Sequence, residues 1–211
     1  MNRPEDIPAD YSRLQVVDSP RALFRARFKG PVNCILYPSR LEGCFNELAW
    51  TLQDAKAGAP RQDVRRISPS SLPHLIRRFP DFAQELELIQ KDMDAAAKSG
   101  RNFEPYLRLV APLGYEDREL HDFHHDTLSR TQAPRLMRCY NVAATHWARN
   151  EDVAPVAGKI DLFTLRSGAQ EYKFNVGDIW LHCGYPQVEV AFIHKAPPVG
   201  VDDAPRLVLV G

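Results

Sequence analysis

The sequence predicts an α+β fold, with a mainly helical portion over residues 1–100 packed on a β-rich core over residues 101–211, together one compact unit. Three observations predict it. Apolar residues recur at helical spacing between Leu41 and Gly100. After Gly100 the texture changes to short β-prone runs. Glycine, proline, asparagine or aspartate mark several of the breaks between those runs, and seven or eight short strands in about 110 residues suggest a sandwich or barrel.

Along the chain, the first thirty or so residues offer only an amphipathic patch, "RALFRARF". Next, "PVNCILYP" from Pro31 to Pro38 reads as a short strand. In "EGCFNELAWTLQDAKAG" the residues Phe45, Leu48, Ala49 and Leu52 form a helical stripe, closed by Gly58 and Pro60. The stretch "SSLPHLIRRF" reads as a short helix with serine caps and an early proline. The strongest helix is "PDFAQELELIQKDMDAAAKSG": Phe82, Leu86, Ile89, Met93 and Ala97 make its buried stripe, Asp81 caps it and Gly100 stops it. Its place before the core raises the hypothesis that these helices form a lid over a pocket. The strands that follow are "YLRLVAP", "RLMRCYNVA", "KIDLFTL", "YKFNV", "DIWLHCG", "EVAFIHKA" and "RLVLVG". Gly177 and Asp178 make the turn entering the fifth of these runs.

Composition narrows the function classes. Lysine plus arginine equal aspartate plus glutamate at 27 each, which argues against nucleic acid as the main partner. No run of about 18 apolar residues exists, so no membrane partner is expected. The N-terminus lacks a hydrophobic signal-peptide core, which makes the cytoplasm the expected location. Cys34, Cys44, Cys139 and Cys183 are scattered and form no CxxC pair, so buried reduced thiols are expected.

Histidine is distributed differently. Five of the seven lie between His121 and His182, and His194 follows. If "FHHD" lies on a strand or its rim, His124 and Asp126 share one face and His125 takes the other. That pair supplies two of the three ligands of a 2-His-1-carboxylate site, which keeps open positions on Fe(II). His194, ending the apolar run "EVAFIH", is the candidate third ligand. Arg206 opens the last strand, where a guanidinium can hold a carboxylate in a two-pronged pair. In "RLMRCYN", Leu136, Arg138 and Tyr140 share one face, Met137 and Cys139 the other; Tyr140 is a candidate hydrogen-bond donor to a cosubstrate.

This order of His-x-Asp, distant histidine and arginine resembles the Fe(II)/2-oxoglutarate-dependent dioxygenases. More narrowly, "FHHD…RLMRCYNVAATHWARNEDV…VGDIWLHCGY…AFIHKAPP…PRLVLVG" resembles an uncharacterised bacterial family with no assigned function. The resemblance covers roughly residues 101–211. It implies a double-stranded β-helix, a cupin-like jelly roll, with the helical portion as an elaboration. It also implies that His124, Asp126 and His194 hold Fe(II) and that Arg206 binds 2-oxoglutarate as cosubstrate. The implied activity is oxidation of a small-molecule or protein substrate, by hydroxylation or demethylation. One departure is Val208, where many members of the dioxygenase group have serine.

Five other readings stay open. His124 and Asp126 can be a structural hydrogen-bonded pair. "RELHDFHHDTL" on a helix would place His121 and His125 at zinc-binding spacing, although the glutamate of HExxH is absent. Arg206 can be a surface ion-pair residue beside Asp202 and Asp203. The core can also be a cupin-like metal- or ligand-binding module without turnover, or a metalloenzyme that does not use 2-oxoglutarate.

Overall fold

A computed structural model describes residues 7–8, 10–55, 64–110, 121–129, 132–142, 144–197 and 203–211. Among these residues the strands are β1 (Leu14–Val16), β2 (Cys34–Tyr37), β3 (Val64–Ile67), β4 (Tyr106–Val110), β5 (Phe123–His124), β6 (Arg135–Cys139), β7 (His146–Ala148), β8 (Val153–Pro155), β9 (Leu162–Leu165), β10 (Tyr172–Lys173), β11 (Ile179–His182), β12 (Ile193–Lys195) and β13 (Arg206–Val210). The helices are α1 (Pro20–Arg25), α2 (Phe45–Asp54), α3 (Leu72–Arg78) and α4 (Ala83–Ala97).

The strands form two sheets. One has seven strands in the order β1-β2-β11-β6-β13-β4-β3, the other six in the order β10-β7-β12-β5-β9-β8. All neighbours are antiparallel except β1 and β2. The molecule is therefore mixed helix and sheet, as the sequence predicts.

Strand alternation builds two cores on the seven-stranded sheet. One face presents Cys34, Leu36, Cys139, Trp180, Val208 and Val210 to Trp147, Tyr172 and Phe192 of the facing sheet. The other presents Ile35, Leu107, Leu109, Leu136, Leu181, Leu207 and Leu209 to Leu48, Leu52, Leu86, Ile89 and Met93 of the helices. A sheet covered on both faces has near-continuous apolar strands, and all five residues of β13 are buried. The helices thus lie on the face turned away from the space between the sheets. That placement removes the lid hypothesis.

The N-terminal portion does more than cover. β1 and β2 extend one edge of the seven-stranded sheet and β3 forms the other. The predicted stripe of α2 is buried as expected, while its predicted closure at Gly58 and Pro60 lies outside the described residues. In α4 the last buried alanine is Ala96, not Ala97, and Phe82 occupies the N-cap after a short 3-10 turn, so Asp81 does not cap. Gly100 adopts φ +77 just past the helix, as a stop requires. Glu85, buried on α4, accepts the backbone N–H of Cys44 at 2.8 Å and so caps the start of α2.

Asp178 fixes the turn into β11 by accepting N–H bonds from Ser39 at 3.0 Å and Asn175 at 2.9 Å. Cys34, Cys139 and Cys183 are buried free thiols; Cys44 is exposed, contrary to expectation, because it sits at the solvent-facing start of α2. Among the described residues no helix is long and apolar enough to cross a membrane.

Candidate metal centre

Two adjacent strands of the six-stranded sheet bring the candidate ligands together. β12 pairs with β5 so that His194 lies directly opposite His124, and the ring centroids are 4.6 Å apart. Asp126 follows the end of β5, where another segment holds its backbone. Its carbonyl accepts from Tyr185 N at 2.9 Å, and Leu128 N donates to Tyr185 O at 2.8 Å. Gly184 makes this approach possible, since a Cβ there would meet the Asp126 carbonyl oxygen at 2.2 Å. The result is one ligand atom each from His124, Asp126 and His194, all within 4.8 Å of one another.

The protons are arranged for binding a cation. His124 Nδ1 lies 2.9 Å from the Asp122 carbonyl oxygen, which can only accept. The neutral ring therefore carries its proton on Nδ1 and leaves Nε2 as the ligand atom. Burial pushes the His194 imidazole well below its ordinary value, with His124 and His182 adding to the effect. For Asp126, burial acts to raise the value, but His182, His194, Arg135 and His124 outweigh it and hold the carboxyl below the usual range. At neutral pH the group thus holds an ionised carboxylate and a neutral, buried His194. A metal would displace no proton from either.

Sequence reasoning left two participants unassigned. Arg135 Nε donates to Asp126 Oδ2 at 3.0 Å. His182 is fully buried, its Nε2 is 3.6 Å from the same oxygen, and its ring centroid is 4.7 Å from that of His194. Burial lowers the His182 imidazole to about 4, against the attraction of Asp126. Both its ring nitrogens, and Nδ1 of His194, are buried without a well-aligned hydrogen bond among the described residues. Two imidazoles and one carboxylate converging in a partly buried group are a donor set that fits a divalent transition metal. A structural His124–Asp126 pair fits less well, because the His124 bond goes to the backbone.

The remaining predicted residues separate. Arg206 is buried on β13, and its Nη2 donates toward Cys139 Sγ at 2.9 Å and Thr145 Oγ1 at 3.1 Å. Cys139 belongs to the inter-sheet core and Thr145 leads into β7, so this guanidinium lies between the sheets rather than on the surface. Tyr140 does not join the group. It belongs to the helix-facing core, stacks on Phe45 and donates its hydroxyl to Asp92 Oδ2 of α4 at 2.7 Å. A donor committed to the opposite side of the sheet cannot serve a cosubstrate beside Asp126, and this corrects the expectation for Tyr140.

His125 turns away from the metal group, as alternation requires. Its ring packs against Phe163 and Tyr185 at 5.6 and 5.7 Å. These three, with Val153, Ile193 and Glu189, line a cavity of about 260 Å³. Because Phe123–His124 is a strand, His121 and His125 do not share a helix face, and the helical zinc arrangement is absent. Trp147 is core, and His146 pairs with Glu171, which also holds Lys195. No family model matches the chain, and no curated protein matches it.

Proposed function

We propose that the protein is a mononuclear non-haem Fe(II) oxygenase that uses 2-oxoglutarate and O2 to hydroxylate or demethylate its substrate. The observation that carries this reading is the convergence of His124, Asp126 and His194 from β5, its rim and β12. Two facts support it. Arg206 opens the strand after the one bearing His194, with its guanidinium between the sheets. Strands β4, β5, β6 and β7 alternate between the sheets, as do β11, β12 and β13. The central orders β11-β6-β13-β4 and β10-β7-β12-β5 support reading the core as a double-stranded β-helix.

In this reading His124 Nε2, an Asp126 oxygen and a His194 nitrogen hold the metal on one side and leave positions open on the other. Arg206 offers a buried cation to the distal carboxylate of 2-oxoglutarate. Bound Fe(II) supplies the oxygen chemistry that couples decarboxylation of 2-oxoglutarate to oxidation of a substrate C–H bond. The apolar walls around Phe192, Trp147 and Trp180 keep water from the inner side of the site.

A second reading is a cupin-type metal site that does not use 2-oxoglutarate. The engagement of Arg206 Nη2 by Cys139 and Thr145 favours it. Anaerobic titration of metal-free protein with Fe(II) and then 2-oxoglutarate separates the two. The oxygenase is expected to develop the weak visible charge-transfer band of the chelate, lost in His194→Ala and Arg206→Ala. Metal uptake with no band would favour the second reading.

A further inference from the structure

Four side chains around Asp126 come from two different sheets. His124 and His194 stand opposite each other on β5 and β12 of the six-stranded sheet. Arg135 and His182 stand opposite each other on β6 and β11 of the seven-stranded sheet. The carboxylate lies between these pairs and divides its oxygens. Oδ2 accepts from Arg135 Nε at 3.0 Å and lies 3.6 Å from His182 Nε2. Oδ1 lies 4.0 Å from His194 Nε2.

We propose that His182 is a positioning residue of the metal centre: it donates from Nε2 to Asp126 Oδ2 and, with Arg135, turns Oδ1 toward His124 and His194. This inference rests on the metal reading above and concerns how the chain prepares its carboxylate ligand. His182, the third histidine at the site, could serve as ligand or as donor. As a ligand, His182 would have to reach the metal from the oxygen that already carries the Arg135 guanidinium. A divalent ion there would sit against a fixed positive charge. As a donor, His182 stabilises the same oxygen and adds no charge to the site.

Burial gives a second argument. His182 has no exposed surface, and neither ring nitrogen has a well-aligned hydrogen bond among the described residues. The Cys183 backbone is polar company for the ring, but a buried Nε2 without a well-aligned acceptor is costly, so its place beside Oδ2 calls for an interaction that shortens when the site is loaded. Donors to the outer oxygen of a ligating carboxylate fix its rotamer, and loss of such a partner weakens metal binding by about 10–100-fold.

Co(II) is the probe, because its visible d–d bands report the ligand set. Metal-free wild type, His182→Leu and His182→Gln are titrated with Co(II), with near-ultraviolet circular dichroism as the check of folding. Glutamine keeps an amide donor near the position of Nε2; leucine does not. His182→Leu is expected to bind about 10–100-fold more weakly, with wild-type band positions at saturation, and His182→Gln to recover most of the affinity. Should His182→Leu fail to fold, Arg135→Gln tests the same carboxylate from its partly exposed side, with the same expected weakening and unchanged bands.

Unchanged affinity in both the leucine and Arg135→Gln variants would overturn the proposal. So would altered bands at saturation in a His182 variant, which would make His182 a ligand, or a glutamine variant as weak as leucine. A wild-type protein that takes up no Co(II) would remove the metal reading itself, and this inference with it.

Discussion

Replacing Tyr140 with phenylalanine removes one hydroxyl from the buried contact with Asp92, which also pairs with Arg138. The expected loss is about 1.5–3 kcal/mol of stability in urea unfolding, typical of a hydrogen bond to a charged acceptor. The Fe(II)–2-oxoglutarate band should be unaffected, since Tyr140 lies on the helix side. The residue also shows where sequence reading stops. Alternation correctly placed Tyr140 with Leu136 and away from Cys139, but both faces of β6 are buried, so the pattern does not say which face meets the second sheet. His182 was hidden for a related reason. A single histidine in the apolar run "DIWLHCG" shows its partner only once the register with Arg135 and the facing sheet is known. The grouping of His124, Asp126 and His194 was legible as a candidate because His-x-Asp spacing and a histidine closing an apolar run survive any register in which their strands become neighbours.

At the scale of elements, the segment from Gly184 to Tyr185 clamps the chain from Asp126 to Leu128 through two backbone hydrogen bonds. Gly184→Ala would drive a methyl into the Asp126 carbonyl oxygen, 2.2 Å away, and neither partner is a flexible side chain. The variant is expected to bind Co(II) at least 10-fold more weakly than wild type, a displaced ligand being costly to restore. Wild-type affinity would show that this packing does not set the carboxylate. Long periodic helices such as α4 were readable from sequence because fifteen residues repeat the same face. Strands β3, β7 and β8 were not. Three or four residues carry too little alternation, and the neighbours that fix these strands are remote in sequence.

For the whole molecule, the buried imidazoles tie stability to pH. The His182 value falls from 6.5 in the unfolded chain to about 4 in the fold. Between these values the unfolded chain holds the proton and the folded one does not, so stability rises with pH across that window. The contribution is full above about pH 6.5 and is lost as pH falls toward 4, a change of ~3 kcal/mol for this group. His194 acts in the same direction. Asp126, held below its ordinary value, adds a further loss in more acid solution, below about pH 4. Urea midpoints for metal-free protein should therefore drop between pH 6.5 and 4, and His182→Gln should flatten the slope. A midpoint independent of pH in both proteins would contradict the buried neutral state.

A metal that binds only the folded chain must also stabilise it, by about 2.7 kcal/mol at a hundredfold excess over Kd. The unfolding temperature should accordingly rise with metal in wild type and stay fixed in Asp126→Ala. The mixed helix-and-sheet class was visible in the change of periodicity, and so was β2, whereas the edge strands β1 and β3, also supplied by residues before Gly100, were not, since sheet edges are chosen by tertiary pairing. The measurement closest to the central claim is anaerobic calorimetric titration of metal-free protein with Fe(II), beside His124→Ala, Asp126→Ala and His194→Ala. The account predicts one equivalent bound by wild type and no saturable binding by any of the three variants. Binding that survives all three substitutions, or none in the wild type, would contradict it.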